Sequence, residues 1–338
     1  MRSKIFLSLA IMVMAGCTES PEMIVLEDSV ARMEVTAAYG GRVLSFSLQG
    51  RENLLKVGEA VMNVPDPEVS PEANNIPYFG HIVWLGPQNE WWTHQQVNPQ
   101  RFKAKAGWPP DPYLVFARNK VVERTAEKLV LEGVASPVSG VQLRKTFSLT
   151  EKPGMFELFA EAINVSGKEL SWDIWFNTRV QPSTSVYVPV TSEQDLRADS
   201  GARGTVGPVE YLLSGGLLTL DVERLPTGMT GRRGKLFIQP SAGWMAGFAG
   251  EQVFVIEFPL QPKEAIHPAH GQVELYLNYR PESLEDSLIE MEVHAPYRTL
   301  KPGEAMRAGE RWTVLPYDGP DDKAAHIDFL KKRFMRDS

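Results

Sequence analysis

The chain has a single cysteine, Cys17, among 338 residues. That excludes a disulfide framework, so the fold must be held by its core. Clustered positive charge is missing too. The 35 Lys and Arg are scattered among 42 Asp and Glu. No basic run is present to neutralise a phosphate backbone, so nucleic acid is not an expected partner. Beyond the apolar stretch Ile5–Met14, no run reaches membrane-spanning length. There is no glycine-rich phosphate loop or dinucleotide fingerprint, and no G-x-S-x-G to mark a nucleophile elbow. Metal ligands are few: six histidines are present, and "HPAH" puts His267 and His270 in a proline-containing loop rather than on one helix face. Neither a metal nor a cofactor is expected.

What is there begins at the N-terminus. "MRSKIFLSLAIMVMAGC" has basic Arg2 and Lys4, the apolar stretch, then Ala15 and Gly16 before Cys17. This is a secretory signal, too short for a stable membrane span. Its Ala-Gly-Cys end resembles a bacterial lipoprotein lipobox. The resemblance implies a signal peptide at 1–16, cleavage, and acylation of Cys17. Residues 17–25 would then be a tether and 26–338 the folded domain. Thr18 rather than Asp after the cysteine favours the outer membrane. The expected location is the bacterial cell envelope, lipid-anchored at the outer membrane and facing the periplasm. Cleavage also removes Arg2 and Lys4, taking the net charge from −7 to −9.

After the tether the pattern is strand-like almost throughout. Runs such as "RMEVTAAY", "VQLRKTFSLT", "LSWDIWFNTRV", "QVELYLNYR" and "LIEMEVHAP" are rich in β-branched and aromatic residues, and many alternate. Gly, Pro, Asn and Asp punctuate them. The spacing predicts one all-β domain, a large antiparallel β-sandwich. Only "DDKAAHIDFLKKRFM" from Asp321 reads as a helix, with Ala325, Phe329, Leu330 and Phe334 as its apolar stripe and Asp321 or Asp322 as its cap.

Alternation also suggests a site. In "SWDIWFNTR", Trp172, Ile174, Phe176 and Thr178 share one face; Asp173, Trp175, Asn177 and Arg179 share the other. The second set joins an aromatic platform to planar polar groups, as sugar recognition requires. The alternative is a solvated face with one tryptophan. In "IEMEVHAP", Glu290, Glu292 and His294 lie opposite Ile289, Met291, Val293 and Ala295, where they suit general acid/base work or a solvent-facing edge. Glu274, Tyr276, Asn278 and Arg280 share a face in "VELYLNYR". "FGHIVWLGPQNEWWTHQQ" carries a turn at "GPQNE", and its adjacent Trp91 and Trp92 cannot both face a core from one strand. The expectation is that Trp84 and one of Trp91 and Trp92 line a pocket, with His81, Gln88 and His94 as polar contacts. The bland alternative is a loop pinned to the sheet edge by its tryptophans.

"AAYGGRVLSFSLQGRENLL" (Ala37 to Leu55) resembles the opening hairpin of the galactose mutarotase-like superfamily. "HAPYRTLKPGEAMRAGERWTVLP" (His294 to Pro316) resembles its closing end. "HIVWLGPQNEWW" with "WPPDP" looks most like the DUF4380 family of that superfamily. The resemblance implies a β-supersandwich, with a short C-terminal helix here, whose concave face meets a carbohydrate. Arg42, after the glycine pair, would reach into that face or form a turn-side salt bridge. In the aldose epimerases of the group, a Glu takes the anomeric hydroxyl proton and a His protonates the ring oxygen. Matching the family's H-x-Y-F-N to "DIWFN" puts Asp173 in place of that His. The Glu falls at Glu290 or Glu292, with His81 or His294 assisting. The expected function is an envelope-anchored carbohydrate-binding domain, with epimerase-like or glycan-processing activity. The alternative is a non-catalytic structural or partner-binding envelope protein.

Overall fold

The computed structural model describes residues 21–222 and 225–335. The expected signal peptide at 1–16 and the lipidation site Cys17 lie outside them. So do residues 17–20 of the expected tether. Its last two residues, Ile24 and Val25, are already strand, paired with Val35 and Glu34.

Two large sheets pack face to face, as expected for an all-β chain of alternating runs. The first runs from edge to edge as Ile24–Glu27, Ala31–Thr36, Arg42–Leu48, His81–Gly86, Leu170–Val180, Leu288–His294, Val273–Tyr279, Gly231–Ile238 and Leu196–Ser200. The second runs as Tyr211–Ser214, Leu217–Leu220, Ser185–Pro189, Trp244–Ala249, Gln252–Glu257, Ala305–Pro316, Met155–Asn164, Val141–Leu149, Lys128–Glu132 and Lys120–Arg124. Pairing is antiparallel, apart from the short strand Val206–Pro208 beside Gly231 to Arg233. Strands distant in sequence become neighbours: Leu170–Val180 lies between His81–Gly86 and Leu288–His294.

The core fills the space between the sheets. Phe46, Phe254 and Trp312 meet there with ring centroids 4.8 to 5.3 Å apart, and Phe156 meets Phe46 edge-on. His81 belongs to this interior. Its ring lies 4.9 Å from Trp312 and 6.0 Å from Phe176, and its Nδ1 is 2.9 Å from the Thr178 hydroxyl. The helix Lys323–Phe334 covers the outer face of the second sheet. Asp322 caps it by accepting from the Ala325 N–H. Its buried side is His326, Ile327 and Leu330, one residue round from the stripe read in the sequence. His326 stacks on Phe248 at 3.9 Å, and the Tyr187 hydroxyl lies 3.0 Å from its Nδ1.

Trp312 is fully buried where the two sheets meet. Trp312→Ala is expected to cost about 3–5 kcal/mol, read as a lower urea midpoint with an unchanged slope.

Candidate functional site

The outer face of the first sheet carries the polar residues that alternation set opposite the core. Register turns them into rungs across the strands. Trp84, Trp175 and His294 stand side by side. Asn177, Glu292 and Glu274 form the next rung. Arg179, Glu290, Tyr276, Lys235 and Asp199 form the one beyond. A cavity of about 610 Å³ opens over this face. Arg42, Trp84, Gln88, Trp175, Arg179, Glu290 and Glu292, all expected at the site, line it. Trp108, Arg233, Lys235, Tyr276 and Asp199 join them.

Lys235 is the centre of the charge arrangement. Its Nζ is 2.6 Å from Glu274 Oε2 and 2.6 Å from Glu292 Oε2, and 4.7 Å from the Trp175 ring. Both carboxylates are fully buried. Arg179 Nε donates to Glu290 Oε1 at 2.8 Å, and its guanidinium lies over Trp84. Asn177 Nδ2 donates to Glu292 Oε1 at 3.1 Å. Glu290 and Glu292 are themselves hydrogen-bonded through their side chains.

That proximity splits their proton affinities. Burial pushes the Glu292 carboxyl well above the usual carboxylate range. Lys235 opposes this, while the charges of Glu290 and Glu274 add to it. Burial also disfavours charge on Glu290 and Glu274, but their cations win. Arg179 holds Glu290 below the usual range, and Lys235 and His294 hold Glu274 well below it. Of the two, Glu292 holds its proton more strongly than an ordinary carboxyl and Glu290 less strongly.

Beneath Trp175 lies a second polar layer. His294 is fully buried, its Nδ1 3.1 Å from Asp173 Oδ1 and its Nε2 3.5 Å from Glu274 Oε1. Burial opposes its charge, yet Asp173 and Glu274 raise its pKa to about 9. His270 stacks on it at 3.9 Å and reaches Glu274 Oε1 through Nδ1 at 2.7 Å. Burial, followed by the His294 charge, lowers the pKa of His270. Asp173 has room because Gly86 stands opposite: a Cβ there would come 2.6 Å from Asp173 Oδ1.

Two overlapping sets, Asp173/His270/His294 and Glu274/Glu292/His294, bring possible metal-ligand atoms within 4.8 Å of one another. The chemistry fits an ion-pair network better than a metal. Lys235 already supplies the cation between Glu274 and Glu292. The two imidazoles lie stacked at 23°, so their lone pairs run nearly parallel instead of converging on one ion.

Several expectations need correction. His81 faces the inter-sheet core, because it sits three residues from Trp84 and so on the opposite face. Asp173 and His294 lie under Trp175, not on the cavity wall. Trp91 packs behind Trp84 and Trp175, with its Nε1 donating to the Leu85 carbonyl at 2.5 Å. Trp92 is fully buried; it donates to the Pro109 carbonyl and carries Arg101 on its ring. His94 turns away to Glu90 and Trp172. Trp175 is not an open platform either, since Lys235, His294, Trp84 and Trp91 surround its ring. The exposed aromatic at the mouth is Trp108, half of whose surface is free. Arg42 makes no salt bridge among the described residues; it lines the cavity while donating to backbone carbonyls. The sequence reading missed Lys235 and Arg233. Alternation in "GRRGKLFI" puts both on one face with Phe237, which would have found them.

Residues 22–315 match the family model described as a domain of unknown function, DUF4380. The chain belongs to that family. It is the family expected from "HIVWLGPQNEWW" and "WPPDP". None of the curated proteins matches the sequence. Among solved structures, a TPR-domain containing protein from Parabacteroides distasonis is 14% identical with TM-score 0.55; the match covers 90% of this chain and 48% of that one. A protein from Synechocystis sp. PCC 6803 is 13% identical, over 89% and 99% of the two chains, with TM-score 0.51. These two likenesses are of fold alone. A galactose mutarotase related enzyme from Lactobacillus acidophilus aligns over 89% and 99% at 12% identity, with TM-score 0.49.

Lys235→Met would leave two buried carboxylates without their shared cation. A loss of about 3–5 kcal/mol is expected, measured by urea unfolding near neutral pH.

Proposed function

We propose that this chain binds a carbohydrate in the cavity and catalyses proton transfer at its anomeric carbon, as an aldose epimerase-like enzyme. The observation that carries this reading is the Glu290/Glu292 pair on the cavity wall, both reached by Asn177 Nδ2 at 3.5 and 3.1 Å, with proton affinities pushed in opposite directions. Two titratable groups pushed apart in this way make an acid and a base at one pH. Their closeness narrows the reaction. Glycoside hydrolysis by paired carboxylates needs them about 5 Å or more apart, to leave room for the sugar or a water. Ring opening acts on two oxygens held by one carbon, which suits groups in direct contact.

Glu290 takes the proton of the anomeric hydroxyl, and Glu292 gives its proton to the ring oxygen as the bond from that oxygen to the anomeric carbon breaks. The aldehyde rotates and the steps reverse on its other face. Arg179 keeps Glu290 ionised, and Asn177 orients Glu292. Trp108, half exposed at the mouth, offers apolar surface to the sugar's C–H face. The family resemblance of the two terminal hairpins supports the same substrate class. A second reading, a non-catalytic structural or partner-binding protein, is favoured by one observation: Trp84, Trp91 and Trp175 are all buried.

Exchange between the anomers of common aldoses, followed by saturation-transfer NMR, tests the reading. Glu290→Gln and Glu292→Gln are each expected to slow it by about 10²–10⁴. The rate should fall on the acid side as Glu290 gains a proton, below the ordinary 4.5. It should fall on the alkaline side as Glu292 loses its proton, well above 4.5. Unchanged exchange in both variants would favour the second reading.

We also propose that the domain is held at the bacterial outer membrane by a lipid on Cys17, on the strength of the lipobox resemblance. Mass spectrometry of the N-terminal peptide is expected to find acylated Cys17. Cys17→Ser is expected to abolish the modification and free the protein from membranes.

A further inference from the structure

We propose that the sugar taken by this cavity carries a carboxylate, and that Arg42 receives it. This rests on the carbohydrate reading and adds the charge class of the substrate. Arg42 is only 4% exposed and lines the cavity. Its Nε, Nη1 and Nη2 donate to the carbonyls of Tyr39, Phe79 and Val115 at 3.3, 2.5 and 3.3 Å. These bonds orient the guanidinium and leave its charge unbalanced.

The other buried cations of this face each have an acid. Arg179 has Glu290, Lys235 has Glu274 and Glu292, and His294 has Asp173. Among the described residues, Arg42 has none. It faces other cations instead. Burial, then the charge of Arg179, lowers its pKa to about 9. Burial, then Arg42 in turn, lowers that of Lys145 to about 7. A buried charge without a partner is costly, and the cost is relieved by a bound counter-ion.

The wall as a whole agrees. Arg42, Arg179, Arg233 and Lys235 face three carboxylates there, Asp199, Glu290 and Glu292. Among the lining residues cations outnumber carboxylates by one, and Arg42 is the buried cation there that has no acid among the described residues. Among the described residues Arg233 has no ion pair either, and its Nε donates to the Tyr276 hydroxyl at 3.0 Å. One negative charge matches this surplus, and a planar carboxylate fits the remaining N–H groups of a guanidinium. A phosphate dianion would overshoot it.

Calorimetry on the full chain tests the proposal. The ligands are glucuronate and galacturonate, their methyl esters, the parent aldoses, and glucose 6-phosphate. At least one uronate is expected to bind about tenfold or more tighter than its ester and its parent aldose, through the charge-assisted contact. Arg42→Met should remove that advantage. Arg42 also ties three backbone carbonyls; if the variant does not fold, the ester comparison on the native chain decides. Equal binding of acid, ester and aldose would overturn this inference and leave the carbohydrate reading standing. Tighter binding of the phosphate than of either uronate would overturn the carboxylate. Binding of none of these ligands would count against the carbohydrate reading itself.

Discussion

Lys235 between Glu274 and Glu292 is the constraint on which the site depends. Two carboxylates directly opposite each other on neighbouring strands repel, and neither is exposed to water. One ammonium 2.6 Å from each makes the pairing possible. The two acids differ in their other partners. Glu274 has His294 and His270 as further partners, while Glu292 has Asn177 and a second carboxylate, Glu290. Lys235 favours the charge of both acids; burial and the neighbouring carboxylates push Glu292 the other way, while Glu274 stays well below the usual range.

The rest of the face follows from that asymmetry. Glu290 is charged because Arg179 overrides its burial, and Arg179 is held in turn over Trp84. His294 carries its proton because Asp173 and Glu274 flank it; His270, stacked on a charged ring, gives up its own. The tryptophans wall this network off from water, which strengthens each ion pair inside it. Rings that looked like a sugar platform are largely the insulation of a charge network. The contact surface moves outward to Trp108 and to the rim of arginines.

Much of the fold was legible before any coordinates. Alternation in "SWDIWFNTR" and "IEMEVHAP" separates core from site because a strand has a period of two. The turn signals separate the strands, and the cap and apolar residues of the last segment mark its helix. The same reasoning failed at His81 for want of a phase. It lies three residues from Trp84, so the two must face opposite ways on one strand, but the flanking turn hid where that strand begins. It failed at Trp91, Trp92 and His94 because they follow the strand in irregular chain, where side-chain direction is set by packing and not by period.

The sequence alone determined which residues share a face, because that depends only on local backbone geometry. It could not determine which faces meet. Lys235, Glu274, Glu292, Asn177 and Arg179 come from four separate strands, and their rungs exist only through the register between those strands. The split of proton affinity between Glu290 and Glu292 depends on burial and on distances of a few ångströms, and neither is encoded in spacing along the chain. For the same reason, Arg42 could be read in the sequence as an arginine after two glycines, while its want of an acid was decided by the tertiary structure.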